Sequence, residues 1–403
     1  MICKKNRNMK KKIKIMFVVP DFYPNSTGFA NASRNLVESI IRYGSDKFEV
    51  FVFTDKPLLN NKELKGLVVY RYNKTFTLEN RMTYRYFFNK RYKFFKNIII
   101  KNNIDIIFFE TNTFPFFQEK ALEDFAKKVY VRIHSTADTE VPVFSLPKNN
   151  YEKKRKKCIY TFMQNVNNIV STSSYYLDFV KHYYMYDNVY SMWNGKSYGL
   201  LFNTAGIDSS PVKVVNNHHF LTMGKMSENG LTQKGLLDLI KAVFILFSQK
   251  ALPSDFKLII IGNGTQFPVV ANLIKELSID KYVEIIKQAT HEEVFAFMKS
   301  VRSIILLSRY EGQSMFITES IALGKPLILS DNNGMQDMLL DGVNGLSVKT
   351  GDYYDAADKI LKMLSFNDIE LEEMCKNSSE LYSKKYSGKA VYQQFEDLLR
   401  FTK

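Results

Sequence analysis

Short, fully apolar runs alternate along the chain with segments of helical periodicity, which is the pattern of parallel strands covered on both faces by helices. Residues 13–19 predict a first strand, followed by a polar loop over 21–28 and a helix over about 30–43 with Leu36, Val37, Ile40 and Ile41 on one side. Further strands are predicted at 49–54, 104–109, 129–133 and 168–171. Periodicity lapses over 192–215, where Gly195, Gly199, Gly206 and Pro211 mark a linker. It then restarts, with strands at 219–223, 257–262, 283–286, 303–307 and 326–330, and helices at 235–247, 269–277, 292–299 and 314–323.

Two α/β halves of the same class follow: doubly wound, Rossmann-like domains at 1–215 and 216–385, and a last helix within 386–403 that returns to the first domain. The length of 403 residues agrees, because one hydrophobic core seldom organises more than about 250–300 residues. Ligands of open parallel sheets bind outside the carboxyl ends of the strands, so two such sheets facing each other define a cleft.

Composition narrows the class. Hydrophobic residues make up 45% of the chain, with 32 Phe and 24 Tyr, which excludes a disordered or fibrous protein. Three cysteines, Cys3, Cys158 and Cys375, are too few and too scattered for a disulfide framework or a close-paired zinc site, and a reducing cytoplasm fits them. No apolar run reaches the ~18 residues of a membrane span. The run starting at Ile15 stops at Pro20, short of the ~7–15 residues of a signal-peptide core, so export is not expected, and Met9 is an alternative start.

The net charge of +15 is concentrated in the first half. Residues 1–220 hold 35 Lys and Arg against 18 Asp and Glu, or +17, leaving −2 for 221–403. A basic aromatic stretch over 81–96 and the run Lys153-Lys154-Arg155-Lys156-Lys157 supply much of it. Interleaved aromatics and cations suit an anionic membrane surface, or stacked single-stranded nucleic acid. Equally, they are core aromatics with solvated cations.

Chemistry concentrates in residues 308–326. A strand ends in the polar turn Glu311-Gly312 and a helix begins near Ser314, so open backbone N–H groups and the positive dipole end can meet a diphosphate. Glu319, on the first turns of that helix, can accept the two hydroxyls of a ribose, and Glu311 can reach a sugar hydroxyl. Taken singly, each glutamate also reads as a solvated residue near a helix cap.

The whole string, with a second Glu eight positions after the first and then Gly324-Lys325-Pro326 before an apolar strand, resembles the signature of retaining glycosyltransferase family four. The similarity continues through Gly334 and from Asp341 to Gly345, with Gln336-Asp337 where an acidic residue is usual. The resemblance implies two Rossmann-like domains of GT-B type and a nucleotide-sugar donor. In it Glu319 would bind the donor ribose, and Glu311 with the backbone of Ser314, Met315 and Phe316 would hold sugar and phosphate.

Gly224-Lys225 after a strand, and Lys234-Gly235 read as opening a helix, supply cations for the leaving diphosphate. The family usually has Arg at the first position and a shorter spacing to the second, and two surface lysines are the plain alternative. His134 ends an apolar strand where the family also carries a His, and Gly28 remains of the family's glycine loop near phosphate or acceptor. Gly262 and Gly264 read as a tight turn.

These residues lead to a cytoplasmic enzyme, docked peripherally at the inner face of the plasma membrane. It would move a sugar from a nucleotide-sugar donor to a cell-surface glycan or lipid-linked acceptor with retention, without a metal cofactor and without nucleic acid. The absence of an Asp-x-Asp pair supports the metal-free reading. A nucleotide-sugar epimerase and a non-catalytic glycan-binding or partner subunit are the alternatives.

Overall fold

The computed structural model describes residues 11–20, 22, 27–54, 66–72, 81–111, 115–135, 146–147, 149–184, 196–208, 213–331 and 333–400. Cys3, residues 4–10, most of the loop at 21–28, the side chains of 81–88 and parts of the stretch at 192–215 lie outside the described residues.

Two compact units form. The first comprises Met1–Ser171, Leu177–Leu201 and Val391–Lys403, and the second Thr172–Tyr176 and Phe202–Ala390. Both are α/β, each built on one parallel sheet.

In the first unit the strands are β1 Ile13–Val18, β2 Phe48–Thr54, β3 Val68–Arg71, β4 Ile106–Glu110, β5 Val129–Ile133, β6 Asn168–Ser171 and β7 Ser197–Leu200. Their spatial order is β3-β2-β1-β4-β5-β6-β7. The chain winds outward from β1 in one direction and from β4 in the other, so the topological switch point lies between β1 and β4. β1, β4 and β5 are almost wholly buried, which explains why they read as mostly apolar runs, interrupted by Lys14 in β1 and by the buried Arg132 in β5. Phe395, on the last helix Gly388–Arg400, packs its ring 6.0 Å from Phe17 and 5.8 Å from Phe108, and Glu396 takes the Lys47 ammonium at 2.6 Å.

The stretch at 192–215, read from the sequence as a linker, contains β7 and is corrected accordingly. Ser197-Tyr198-Gly199-Leu200 is a half-buried edge strand too short to show a period, and it pairs with β6 through Ile169↔Tyr198 and Val170↔Gly199. A Cβ at Gly199 would lie 1.9 Å from the end of the Leu398 side chain, which would have to turn aside. By contact the chain passes into the second unit at Phe202 and returns to the first at Val391, with Thr172–Tyr176 also grouped in the second.

In the second unit the strands are β8 His219–Met223, β9 Lys257–Ile261, β10 Val283–Ile286, β11 Ser303–Leu306, β12 Leu327–Ser330 and β13 Gly345–Val348. The order β10-β9-β8-β11-β12-β13 repeats the topology of the first sheet, with its switch point between β8 and β11. The core on one side of this sheet joins Leu236, Leu239, Ile240 and Val243 of helix Leu236–Ser248 to Ile360 and Met363 of helix Tyr353–Ser365. Arg302 is buried just before β11, and its guanidinium donates to the carbonyls of Met363 and Leu364.

The sheet topology and the two-unit architecture match the expected GT-B type class of two doubly wound, Rossmann-like domains. Among the described residues no helix is long and apolar enough to cross a membrane.

Candidate functional site

The carboxyl ends of β8, β9, β10 and β11 carry the second unit's candidate residues, on either side of its switch point. After β8 the chain turns through Gly224-Lys225-Met226 into helix Glu228–Lys234, capped by the Ser227 hydroxyl accepting from the Gly230 amide. Lys234 therefore ends a short helix, correcting the reading that it opens a longer one. Gly235 follows in a left-handed conformation with φ 61°, and the next helix starts at Leu236. A Cβ at Gly235 would lie 2.1 Å from the Leu307 carbonyl oxygen, so the kink that aims Lys234 also seats the chain against the end of β11.

Gly262 and Gly264 serve the same loop. The amides of Gly224 and Met226 donate to the carbonyls of Ile261 and Asn263 at 3.0 Å each. A Cβ at Gly262 would lie 2.0 Å from the Gly224 carbonyl, and one at Gly264 2.4 Å from that of Met226. The Gly-x-Gly is thus a close backbone approach that supports the Lys225 loop. Lys225 itself is exposed.

After β11 the turn 307–314 leads into helix Met315–Ala322. Its N-cap, Ser314, makes no side-chain cap bond, so the amides of Met315 and Phe316 stay open at the positive end of the helix. The Lys234 ammonium donates to Glu311 Oε2 at 2.5 Å, and the Ser308 hydroxyl lies 3.4 Å from the same oxygen. The Glu311 carbonyl accepts the Gly334 amide, and a Cβ at Gly334 would fall 1.8 Å from the Gly312 carbonyl oxygen.

Gln313 is buried. Its Nε2 donates to the Asn203 carbonyl and to Thr318 Oγ1, while its Oε1 accepts the Asn203 amide. Nothing in the sequence pattern singles out Gln313, because both its partners become neighbours only on folding.

Glu319 is 7% exposed at its side chain and accepts His291 Nε2 at 3.1 Å. His291, likewise absent from the sequence reading, is the first residue of helix His291–Ser300 after β10. Asp337 accepts the amide and the hydroxyl of Ser174, both at 2.7 Å, so this carboxylate caps the start of helix Ser174–Tyr183.

The first unit carries a separate set, also beside its switch point. Gly28 is the first residue of helix Gly28–Gly44, behind the Thr27 hydroxyl that accepts the Ala30 amide. His134 follows β5, its Nε2 lying 2.8 Å from Oε2 of Glu110, the last residue of β4. Glu110 and Arg132 are fully buried and pair at 3.1 Å, and the Ser33 hydroxyl donates to the same carboxylate. Burial by itself would push the Glu110 carboxyl up. The Arg132 charge, with hydrogen bonds from His134 and Ser33, outweighs it and holds the carboxyl below its usual range. Since that carboxylate is ionised, His134 Nε2 carries the proton between them. The buried Glu110 was not legible in the sequence, where it is one acidic residue at the end of an apolar run.

Residues 222–381 match the family described as glycosyl transferases group 1. An uncharacterized glycosyltransferase of Methanocaldococcus jannaschii is 28% identical over 172 residues, which cover 41% of this chain and 46% of that protein. The chain spans less than half the length of the first curated relatives it matches. Among solved structures, sucrose-phosphate synthase from Thermosynechococcus elongatus superimposes with a TM-score of 0.75 at 17% identity, covering 97% of this chain and 99% of that one. HepE from Anabaena in complex with UDP superimposes with a TM-score of 0.66 at 14% identity, covering 96% and 100%.

Proposed function

We propose that this protein is a retaining glycosyltransferase of family four that moves a sugar from a nucleotide-sugar donor to a glycan or lipid-linked acceptor. The observation that carries the reading is the open N-terminus of helix Met315–Ala322, flanked by Glu311 in the turn before it and by Glu319 on its own second turn. Open amides at a positive helix end suit a diphosphate, and a buried carboxylate suits a diol, because each needs partners that water no longer supplies. The match to glycosyl transferases group 1 over this segment, and the UDP held by a structural neighbour, support the same donor class.

In this mechanism Glu319 accepts the ribose hydroxyls and the amides of Met315 and Phe316 take the distal phosphate. Lys234 and Lys225 oppose the charge that develops on the diphosphate as the glycosidic bond breaks. The leaving oxygen takes the acceptor's proton on the same face, so configuration is retained and these cations serve in place of a divalent ion. Glu311 contacts the transferred sugar. Gly28, the first residue of helix Gly28–Gly44, lets an acceptor approach the backbone there without a side chain in the way.

The reading includes docking at an anionic membrane surface, the inner face of the plasma membrane, where lipid-linked acceptors reside. Helix Asn150–Asn165 buries Ile159, Phe162 and Met163 while Lys153, Lys154 and Lys157 are exposed, and Phe94 and Ile100 of helix Arg81–Lys101 are exposed beside further cations. Cations worth about 1 kcal/mol each near an anionic surface sum to useful affinity without a spanning segment.

The test is calorimetric titration of UDP-, GDP-, ADP- and TDP-glucose, with and without magnesium, into wild type and Glu319→Ala. Saturable metal-independent binding that the substitution weakens by at least tenfold is expected. No binding across the set would overturn the reading.

A further inference from the structure

The imidazole on Glu319 is 57% exposed at its side chain, yet its backbone and its ring are both held in place. Thr290 and Glu293 form a reciprocal capping box, each side chain bonded to the other's backbone amide, which fixes the backbone on both sides of His291. The ring then meets Phe295 edge-on, with centroids 4.7 Å apart, and turns Nε2 toward Glu319 across 28 residues of sequence. Nothing about the helix favours this choice. A cation at a helix N-terminus is opposed by the macrodipole, and Glu292 and Glu293 already supply the charge that a first turn prefers.

What His291 does have is one oxygen of a nearly buried carboxylate. A carboxylate offers about four acceptor sites, so Oε1 can hold His291 while the group still receives a diol. We propose that His291 is a positioning residue of the nucleotide site, which holds the Glu319 carboxylate in its binding rotamer and yields part of it to the ribose when a nucleotide binds. This deepens the donor-site reading of Glu319 given above and rests on it.

The charged groups acting on the imidazole are Glu319, from the facing helix, and Glu292 on its own helix; the Lys287 ammonium lies over the Phe267 ring at 4.2 Å. The hydrogen bond to Glu319 raises the imidazole above its ordinary value, ahead of the opposing effect of its partial burial, and both carboxylates add to the rise. Two ribose hydroxyls donating to Glu319 weaken that bond and cost the imidazolium more than the neutral ring. Nucleotide binding therefore expels a proton from His291, and linkage requires affinity to increase as pH rises through the raised value.

The experiment is calorimetry of the four nucleotide sugars from about pH 5.5 to about pH 8.5, in buffers of different ionisation enthalpy, on wild type and His291→Gln. Their diphosphate diesters do not titrate in that window. Wild-type affinity should rise severalfold toward the alkaline end with release of a fraction of a proton, and His291→Gln should bind with a flat profile and no release. Coinciding profiles would overturn this inference and leave the donor site standing, while no binding by wild type at any pH would overturn both. A readout without nucleotide is the NMR titration of His291 in wild type and Glu319→Gln. Its midpoint should fall toward the ordinary histidine value in the variant, and an unmoved midpoint would equally overturn the inference.

Discussion

The Lys234 ammonium sits 2.5 Å from the Glu311 carboxylate and joins the end of a seven-residue helix after β8 to the turn after β11. The two residues are 77 positions apart. Their strands are neighbours at the switch point of the sheet, which is why the loops that follow them meet. Lys234→Met keeps most of the unbranched side chain and removes its charge. If the cation stabilises the leaving diphosphate, kcat should fall by about 10²–10³ while nucleotide-sugar affinity changes much less, as for loss of one preorganised donor. Steady-state transfer or donor hydrolysis checks this. A loss confined to KM would place Lys234 in ground-state binding alone.

Gly334→Ala tests the floor of the Glu311 turn. The added methyl would meet the Gly312 carbonyl at 1.8 Å, and both partners are backbone, so one of the two loops must move. A stability loss of about 1–3 kcal/mol is expected, read as a lower midpoint in urea unfolding. Nucleotide binding should weaken as well, because the displaced turn leads directly into the open helix end. An unchanged midpoint would mean that the turn relaxes freely.

Gln313→Ala removes the amide that clamps Asn203. It leaves the buried amide and carbonyl of Asn203 without that partner, at a cost of about 1–3 kcal/mol, and thermal unfolding should shift down accordingly. Gln313→Glu, with the same shape but no donor at one end, should restore little of the loss.

The Glu110 carboxyl is held below its unfolded value chiefly against burial, by Arg132 and by bonds from His134 and Ser33. A depressed acidic group contributes stability that is present above its unfolded value and lost as pH falls through the folded one. Wild type should therefore lose stability steeply below about pH 4.5, and Glu110→Gln should show a flatter acid limb. At neutral pH the variant leaves Arg132 buried without its counter-charge, at a cost of about 3–5 kcal/mol. Urea midpoints across pH decide it, and parallel acid limbs would show that other carboxylates dominate.

Much of the architecture was legible in the sequence because buried parallel strands need continuous apolar runs, and no tertiary information is required to see those at β4, β9, β11 and β12. The edge strand β7 and the half-buried β3 carry no such run, since an edge strand is covered on fewer sides and tolerates a Tyr or a Gly. The same holds for glycines: Gly262 reads as a turn residue and Gly235 as the start of a helix, while the carbonyls that they and Gly334 make room for belong to other strands' loops.

The chemistry divides along the same line. Residue types and spacing along one helix and its preceding turn are local, so Glu311, Ser314 and Glu319 could be named from the chain alone. The partners that set their charge and orientation are not local. Lys234 on Glu311, His291 on Glu319, and Glu110 between Arg132 and His134 are brought together by the winding of each sheet about its switch point. Sequence distance is unrelated to spatial distance there, because parallel strands that neighbour in space are separated by whole helical crossovers in the chain.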